Sequence, residues 1–245
     1  MQNDYQYVMA TMGPYTGGLC AFIFSKLTKT RLIIDYSDHW SMNTYLEYIF
    51  KYQYRLARFL EKKLLNHAEL ITVISHGMKK ELVESFGQHL EKKIHVMYNG
   101  WDEEDFADIS VPKELNNSIK FSYVGNFYGK RSTDYLIEAI RQLKEEDKLP
   151  ADIVFSFTGN YHYHTIESMN DEFLKDYIEI SPQIAHNEAV KKMMCSDCLL
   201  LFIPTTDRES TLTGKVFEYI RTHKPILAMI PPNGEAADIL GSCGH

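Results

Sequence analysis

The sequence is short of features that would define its class at once. No apolar run approaches the roughly 20 residues that a membrane-spanning helix needs, and the first residues show neither the basic nor the apolar region of a secretory signal. Positive charge is also scarce, because 26 Lys and Arg stand against 33 Asp and Glu, a formal charge of −7. Binding to phosphate backbones without sequence preference needs a net cationic field. The composition therefore predicts a cytoplasmic protein with no nucleic-acid partner.

Cysteine is scarce as well, with four residues in 245. Cys195 and Cys198 have C-x-x-C spacing, but no second ligand pair lies near them in the sequence, and a structural zinc site needs four ligands. We therefore expect no metal and no other cofactor here, only small apolar side chains at a helix-to-strand junction. Reduced thiols are the default where no signal peptide is seen.

What the sequence does contain is an alternation of short apolar strands with helical segments, which is typical of βα units around a parallel sheet. A polar, turn-rich stretch between Tyr98 and Pro112 interrupts the alternation and indicates a domain linker. We predict an α/β protein of two Rossmann-like αβα domains, residues 1–108 including the linker and residues 109–245. The alternation is cut at both ends, so the first domain is expected to be incomplete and the second truncated.

Three local predictions accompany this architecture. A long helix is expected from about residue 44 to residue 66, and Ser75 is a good N-cap for the helix that follows the third strand. Residues 159–177 read as a looser segment without regular periodicity.

The first loop that indicates chemistry runs from Val124 to Arg131, between a strand and a helix. In open α/β sheets, ligands lie outside the carboxyl ends of the strands, where helix N-termini offer unpaired N–H groups. Gly125 and Gly129 allow close backbone approach, and Lys130 and Arg131 place cations at the start of the next helix. A diphosphate would satisfy both groups of donors. A solvated basic turn is the alternative.

The second loop precedes another helix, which Gly214 opens, and it again offers an anion cradle. Glu218 lies four residues further on. An ionised carboxylate only accepts hydrogen bonds, so it suits a vicinal diol such as that of a ribose. A helix-surface Glu without a ligand is the alternative.

The third loop extends from Asp35 to Trp40 after the second strand. Asp38 and His39 are suited to act on an acceptor hydroxyl, because His is the commonest side chain for proton transfer. Equally open is a structural role, in which Asp35 or Ser37 caps the next turn and Trp40 packs beneath it.

One face of the long predicted helix is basic. Tyrosines lie close to this face, and basic residues with interfacial aromatics are suited to an anionic lipid surface. The alternative is a solvated face paired with Glu47 and Glu61. The basic positions, spaced by four, three and four residues, are Lys51, Arg55, Arg58 and Lys62.

Five segments, in the right order along the chain, resemble motifs of retaining glycosyltransferases of the family 4 type, which have the GT-B fold. They are residues 35–40 (D-x-x-D-x-W), residues 68–75 (A-E-L-I-T-V-I-S), Asn99-Gly-Trp-Asp with Phe106, the loop from Tyr123 to Arg131, and residues 204–228, which end on Lys-Pro-Ile-Leu-Ala.

The resemblance implies roles for single residues. Arg131 takes the place of the family's donor-phosphate Lys, and Asn126 stands where a second cation is usual, a charge that Lys130 is then left to supply. Glu218 should hold the donor ribose, and Ile184 lies where the family contacts the base. The expected donor-binding set is Gly125, Asn126, Lys130, Arg131, Ile184, Thr213, Gly214, Lys215 and Glu218. The expected catalytic set is Asp38, His39, Arg131 and Lys215.

One position departs from the family pattern. Eight residues before Glu218, where the E-x7-E motif has its first Glu, this chain has Ser210, and Glu209 is one residue out of place. The carboxylate expected near the donor sugar is therefore missing or displaced.

The resemblance implies transfer of a sugar from a nucleotide-sugar to the hydroxyl of a carbohydrate or lipid-linked acceptor, with retained configuration and no obligatory metal. Polysaccharide or glycolipid assembly and peripheral contact with an anionic membrane fit this reading. A non-catalytic nucleotide-sugar-binding or interaction module is the alternative, which the missing strands and the missing carboxylate favour. A GT-B nucleotide-sugar epimerase would need its own catalytic carboxylates, and the sequence shows no such set.

Overall fold

Two separate parallel β-sheets organise the chain in the computed structural model. The structure describes residues 5–43, 46–107, 109, 118–127, 131–205 and 208–244, with only the backbone of His164. One unit comprises Met1–Asn99 with the segment Glu209–Leu212, and the other comprises Gly100–Arg208 with Thr213–His245. The predicted α/β class is confirmed, and the domain boundary at residue 108 stays a prediction.

The first unit alternates strand and helix around a four-stranded sheet. The strands are parallel and lie in their order along the chain, β1-β2-β3-β4. The elements are β1 (Tyr7–Thr11), α1 (Tyr15–Thr28), β2 (Arg31–Tyr36), α2 (Lys51–His67), β3 (Leu70–Val73), α3 (His76–Phe86) and β4 (Ile94–Val96).

Alternation along β2 shows how the sequence builds this sheet. Leu32, Ile34 and Tyr36 are buried, whereas the residues between them face outward in part. Successive side chains of a strand point to opposite faces, so these three share the face that is packed. At the end of β3, the Ser75 hydroxyl accepts a hydrogen bond from the backbone N–H of Met78 at 3.0 Å, so the predicted N-cap is confirmed.

The long basic helix begins later than the sequence predicts. Among the described residues, α2 starts at Lys51 rather than near residue 44, and Phe50 is its N-cap. The Gln53 side chain accepts a hydrogen bond from the Phe50 N–H at 3.2 Å and thereby closes the helix start at this point. Thr44 and Tyr45 lie outside the described residues.

The second unit contains a five-stranded parallel sheet of order β7-β6-β5-β8-β9. Chain order reverses between β5 and β8, and such a switch point is where ligands bind in doubly wound sheets. The elements are α4 (Glu104–Ala107), β5 (Ile119–Val124), α5 (Asp134–Glu145), β6 (Ile153–Thr158), α6 (Tyr163–Met169), β7 (Ile178–Ser181), α7 (His186–Met194), β8 (Cys198–Phe202), α8 (Lys215–Thr222), β9 (Ile226–Met229) and α9 (Glu235–Ser242).

The core of this unit is aromatic at the end of the sheet that carries the switch point. Phe127 is buried, and its ring makes edge contacts with Tyr123, Tyr161 and Phe202 at centroid distances of 4.7 to 5.3 Å. Strand β8 is buried along its whole length, as a continuous apolar run in a parallel sheet should be. This packing fixes the loops that leave β5 and β6.

Two smaller expectations meet the structure here. The residues predicted as a looser segment contain α6, a short helix that single-sequence periodicity did not indicate. The C-x-x-C pair lies at a helix-to-strand junction, as predicted: Cys195 is the C-cap of α7, Cys198 begins β8, and both are free thiols. The described residues hold no group of three or more His, Cys, Asp or Glu arranged for a metal ion.

The first residues of the second unit are joined to helix α8. Trp101 donates its indole N–H to the Glu103 carboxylate at 2.9 Å, and Arg221 of α8 donates its Nε–H to the same oxygen at 2.8 Å. The guanidinium also lies over the Phe106 ring, 5.1 Å from its centroid.

In the part of the chain that the structure describes, no helix is long and apolar enough to cross a membrane.

Candidate functional site

A cavity of about 300 Å³ opens at the carboxyl ends of the strands in the second unit. It lies at the topological switch point, where the loops after β5, β6 and β7 meet the start of α8. This is the place where open α/β sheets bind ligands. Its lining is Val124, Gly125, Asn126, Thr158, Gly159, Gln183, Ile184, His186, Ala189, Met193, Lys215 and Glu218.

Two glycines form the closest backbone contact in this cavity wall. A Cβ atom built on Gly159 would lie 2.1 Å from the Gly125 carbonyl oxygen, and the φ angle of Gly159 is +154°. Gly125 has φ +141°, and a Cβ there would lie 2.3 Å from the Lys215 Nζ. Residue 159 must therefore be glycine, because it has a positive φ angle and because the backbone atoms that a Cβ would meet cannot move aside. Gly159 is thus a site residue that the sequence reasoning did not single out.

Side-chain amides fasten the loops to one another. Asn126 Oδ1 accepts a hydrogen bond from the Asn160 N–H at 2.8 Å, and the Asn160 side chain donates to Gln183 Oε1 at 2.5 Å. The loops after β5, β6 and β7 therefore form one connected wall. Asn126 lines the cavity as predicted, but its side-chain oxygen holds a neighbouring loop. It supplies no charge in place of the usual cation.

Lys215 contributes a cation to the lining of this cavity. It is the first residue of α8, and its Nζ lies 5.8 Å from the centroid of the Tyr123 ring. Burial lowers the pKa of the Lys215 ammonium, and the positive charge of Arg131 lowers it further, whereas Glu218 opposes the shift. A cation held under such conditions is more stable with an anion beside it.

Glu218 lies three residues after Lys215 on the first turn of the same helix, so the two side chains share a face. Both line the cavity, together with Ile184. The structure thus brings together an acceptor-only carboxylate, a cation and an apolar side chain, the three chemical types that the sequence assigned to ribose, phosphate and base.

Arg131 lies beside this cavity and lines a neighbouring one of about 320 Å³ with Ser132, Tyr135 and Phe202. Its side chain is buried, and its charge is close enough to influence Lys215. The structure therefore places a buried cation, Arg131, and a half-buried one, Lys215, close to each other. Lys130 and Gly129 lie outside the described residues.

Thr213 and Gly214 form the turn that leads into α8. Their carbonyl oxygens accept hydrogen bonds from Val216 and Phe217, both at 3.1 Å. The first N–H groups of a helix have no partner within the helix and carry the positive end of its dipole. These two residues lie beside Lys215 in sequence but outside the lining of the cavity itself.

The loop after β2, in the first unit, is held by aromatic and polar contacts. Trp40 is 8% exposed and stacks on Tyr15 with ring centroids 5.3 Å apart, and the Tyr15 hydroxyl donates to the His39 carbonyl oxygen at 2.7 Å. Trp40 therefore packs as the structural alternative for this loop expects. Asp35 accepts a hydrogen bond from the Thr72 hydroxyl of β3 at 2.6 Å, so its carboxylate joins two strands of the sheet.

The two predicted acceptor-side residues have unequal surroundings. His39 is 6% exposed, and its Nε2 lies 2.6 Å from Glu81 Oε2. Burial raises the pKa of the Asp38 carboxyl, against an opposing effect of the positive charge on His39. His39 is thus coupled to two carboxylates, one on its own loop and one on α3.

Sequence reasoning missed Glu81, because no motif or spacing connects α3 with the loop after β2. The same carboxylate accepts a hydrogen bond through Oε1 from the Ser210 hydroxyl at 2.8 Å, and the Ser75 hydroxyl donates to the Ser210 carbonyl oxygen at 3.1 Å. Ser210 is the residue that replaces the first Glu of the family motif. Glu209 is exposed to solvent, and the carboxylate that contacts the Ser210 side chain is that of Glu81.

The basic residues of α2 have fewer acidic partners than the alternative of a solvated face paired with Glu47 and Glu61 expects. Glu61 is fully buried, where it accepts hydrogen bonds from the Tyr36 hydroxyl at 3.1 Å and the Ser41 N–H at 3.0 Å. It is therefore not a surface partner for the basic residues, and that part of the alternative is wrong. Arg58 donates to the Ser85 carbonyl oxygen and covers the Phe86 ring. Lys51, Arg55 and Lys62 remain exposed.

Comparison with known proteins shows which family and which proteins this chain resembles. Residues 2–105 match the family described as Glycosyltransferase Family 4. An uncharacterized glycosyltransferase of Methanocaldococcus jannaschii is 22% identical over 231 residues, which are 92% of this chain and 57% of that protein. The chain thus spans little more than half the length of this curated relative.

Solved structures share the fold at low sequence identity. HepE of Anabaena, solved with UDP and glucose, superposes with a TM-score of 0.63 at 14% identity, over 98% of this chain and 69% of HepE. WaaG, described as a glycosyltransferase involved in lipopolysaccharide biosynthesis, gives a TM-score of 0.58 at 14% identity, over 93% of this chain and 66% of WaaG. The comparisons confirm the resemblance that the motifs indicate: the chain has the GT-B fold and is similar to glycosyltransferases, with its first 105 residues matching family 4.

Proposed function

We propose that this chain transfers a sugar from a nucleotide-diphosphate sugar to an acceptor hydroxyl. The observation that carries the proposal is the cavity of the second unit, where Lys215 and Glu218 of one helix turn face loops whose wall depends on Gly159. Its relatives are described as glycosyltransferases, and HepE was solved with UDP and glucose.

Arg131 and Lys215 would supply the chemistry that the donor needs. A leaving nucleoside diphosphate develops negative charge, and fixed donors in a water-poor site stabilise that charge most effectively. Burial lowers the pKa of the Lys215 ammonium, so a diphosphate beside it would offset the cost of burying its charge. Lys215 and Arg131 can neutralise the diphosphate without a divalent metal. We therefore propose metal-independent transfer, and retention of the anomeric configuration is proposed from the family resemblance alone.

Ribose recognition falls to Glu218 in this proposal. An ionised carboxylate accepts hydrogen bonds from two neighbouring hydroxyls. Glu218 lies one turn along the helix from Lys215, the cation proposed to bind the diphosphate. Ile184, after β7, lines the same cavity and offers an apolar surface for the base. The acceptor hydroxyl is assigned to the loop of Asp38 and His39.

The class of acceptor follows from the relatives and from α2. WaaG is described as acting in lipopolysaccharide biosynthesis, which supports a carbohydrate or lipid-linked acceptor in polysaccharide or glycolipid assembly. Tyr52, Leu56 and Phe59 are exposed on α2 beside the exposed basic residues, a combination that suits an anionic lipid surface. We propose peripheral contact of this helix with the inner face of a membrane, and the four free cysteines support a cytoplasmic location.

A second candidate function is nucleotide-sugar binding without catalysis. Ser210 in place of the first motif carboxylate is the observation that favours it. A module of this kind binds the nucleotide through the second unit and turns over no donor.

Calorimetric titration with UDP, GDP and their sugars tests both candidates. Glu218→Ala and Arg131→Ala should each weaken nucleotide binding about tenfold or more, as expected when charge-assisted hydrogen bonds are lost. Glu138→Ala, on the exposed side of α5, serves as the matched control and should bind as the wild type does. Unchanged affinity in both site variants would overturn the assignment. Binding without hydrolysis or transfer of the donor would favour the non-catalytic candidate.

A further inference from the structure

We infer that Glu81 is the positioning residue of His39, and that Ser210 in turn fixes Glu81. This inference rests on the proposed function, since it assigns a role at the acceptor side of that reaction. It adds a residue that no motif of the chain points to.

The geometry of the three residues carries the inference. Glu81 uses both carboxylate oxygens: Oε2 lies 2.6 Å from His39 Nε2, and Oε1 accepts from the Ser210 hydroxyl at 2.8 Å. The Ser210 backbone is itself held by the Ser75 hydroxyl, the same group that caps α3. Each group in the chain of contacts is thus oriented by the next one.

Burial makes the pair energetically significant. His39 is 6% exposed, and Glu81 lies on a helix whose other face is packed in the core. When His39 carries a proton, its attraction to Glu81 is screened less than that of a pair on the surface, because the contact is largely withheld from water. The contact of Nε2 with Glu81 is a close charge pairing rather than an aligned hydrogen bond, and neither ring nitrogen of His39 has a hydrogen-bond partner among the described residues, so Nδ1 remains for a second group.

The roles of the two carboxylates near His39 differ. Asp38 belongs to the same loop and moves with it, whereas Glu81 belongs to a regular helix and provides a fixed reference. A carboxylate that orients an imidazole and balances its charge is a common arrangement around catalytic histidines. We therefore assign contact with the acceptor to the loop and orientation of the loop's imidazole to α3.

Steady-state kinetics of Glu81→Gln, with Glu84→Gln on the exposed side of the same helix as matched control, tests the assignment. Gln keeps the size of the side chain and can still accept from Ser210, but it carries no charge. We expect kcat to fall about tenfold or more with the donor KM within about twofold of wild type, as for loss of proton-transfer support. The control variant should behave as wild type.

A double-mutant cycle with His39→Ala separates positioning from a structural role. If Glu81 acts through His39, adding Glu81→Gln to His39→Ala lowers kcat no further. Independent, multiplicative losses would overturn the inference, as would a Glu81→Gln enzyme that matches the control.

A measurement that needs no turnover tests the role of Glu81 even if the wild type transfers no sugar and the proposed function fails. The ring ¹⁵N resonances of His39 should move in Glu81→Gln and stay in place in Glu84→Gln. Resonances that are the same in both variants and the wild type would overturn the role of Glu81, whatever the activity.

Discussion

The two units build their sites by different means. In the second unit, the closest loop contact in the cavity wall is between backbones, where Gly159 approaches the Gly125 carbonyl, and amide side chains from the wall's own loops fasten one loop to the next. In the first unit, the loop after β2 is held by side chains from other elements, namely Tyr15 of α1 and Glu81 of α3.

This difference has consequences for tolerance to change. A wall made of backbone tolerates no added atom at its closest contact, but it places few demands on other side chains. A loop held by side chains depends on several distant residues, each of which satisfies a buried polar group. The four predictions below test this contrast, beginning with the largest expected effect.

Gly159→Ala should have the largest effect. The new Cβ would lie 2.1 Å from the Gly125 oxygen, at a φ of +154° that L-residues rarely adopt. Overpacking and backbone strain add up to a loss of about 3 kcal/mol or more in the free energy of unfolding, measured with urea. Gly241→Ala in α9 meets open space and should raise stability by about 0.5–1 kcal/mol. Equal stability of the two variants would refute the backbone-wall account.

Glu61→Ala should come next, and it tests the side-chain account in the first unit. The change leaves the Tyr36 hydroxyl and the Ser41 N–H buried without an acceptor. We expect a loss of about 2–3 kcal/mol in the free energy of unfolding, and a smaller loss for Glu61→Gln, whose amide oxygen can still accept. Glu47→Ala, at an exposed position, is the control and should change stability little. A loss no larger than that of the control would show that Glu61 is dispensable.

Lys215→Met should lower UDP affinity about tenfold, because one charge-assisted contact is lost. Stability of the free protein should rise, since burial disfavours the Lys215 charge. In the wild type, UDP affinity should decline as pH rises through the lowered pKa of Lys215, hence below the ordinary lysine value of 10.5. Titration calorimetry gives the UDP affinities across this pH range, and scanning calorimetry gives the stability of the free proteins. The exposed Lys191→Met variant is the control. Weaker binding together with lower stability would contradict the prediction.

Glu103→Gln should have the smallest effect. Hydrogen bonds from Arg221 and Trp101 lower the pKa of the Glu103 carboxyl from 4.5 to about 2, but the pair is exposed. Because the folded pKa is depressed, the stabilisation is present above pH 4.5 and is lost as pH falls toward 2. Urea midpoints of wild type and variant should therefore differ slightly at pH 7 and converge in acid. A constant difference over this range would show that the charge of Glu103 is not its cause.

The backbone-built site was the more predictable one from sequence. Gly125 and Glu218 were identified from local causes, a glycine after a strand and a carboxylate near a helix start, whereas Lys215 was identified from the family resemblance, and the structure places all three in one cavity. Gly159 was overlooked because its requirement comes from another loop. A close approach between segments leaves no periodic signal.

The first unit shows where single-sequence reasoning reaches its limit. His39 was named from its type and position, but Glu81 and Ser210 are joined to it only by tertiary contacts. Glu61 was taken for a surface charge because it shares a helix with basic residues, whereas the fold buries it against Tyr36. In both cases the deciding contact spans elements that are distant in sequence, where propensity and spacing carry no information.

The chain's two tryptophans provide a way to observe each unit separately. Trp40 is 8% exposed and stacked on Tyr15 in the first unit, whereas Trp101 is 43% exposed in the second. Their fluorescence should therefore differ in colour, with a blue-shifted emitter in the first unit and a red-shifted one in the second. Replacing either with Phe leaves a single tryptophan, and excitation selective for tryptophan over the 16 tyrosines then records the melting of each unit without any added label.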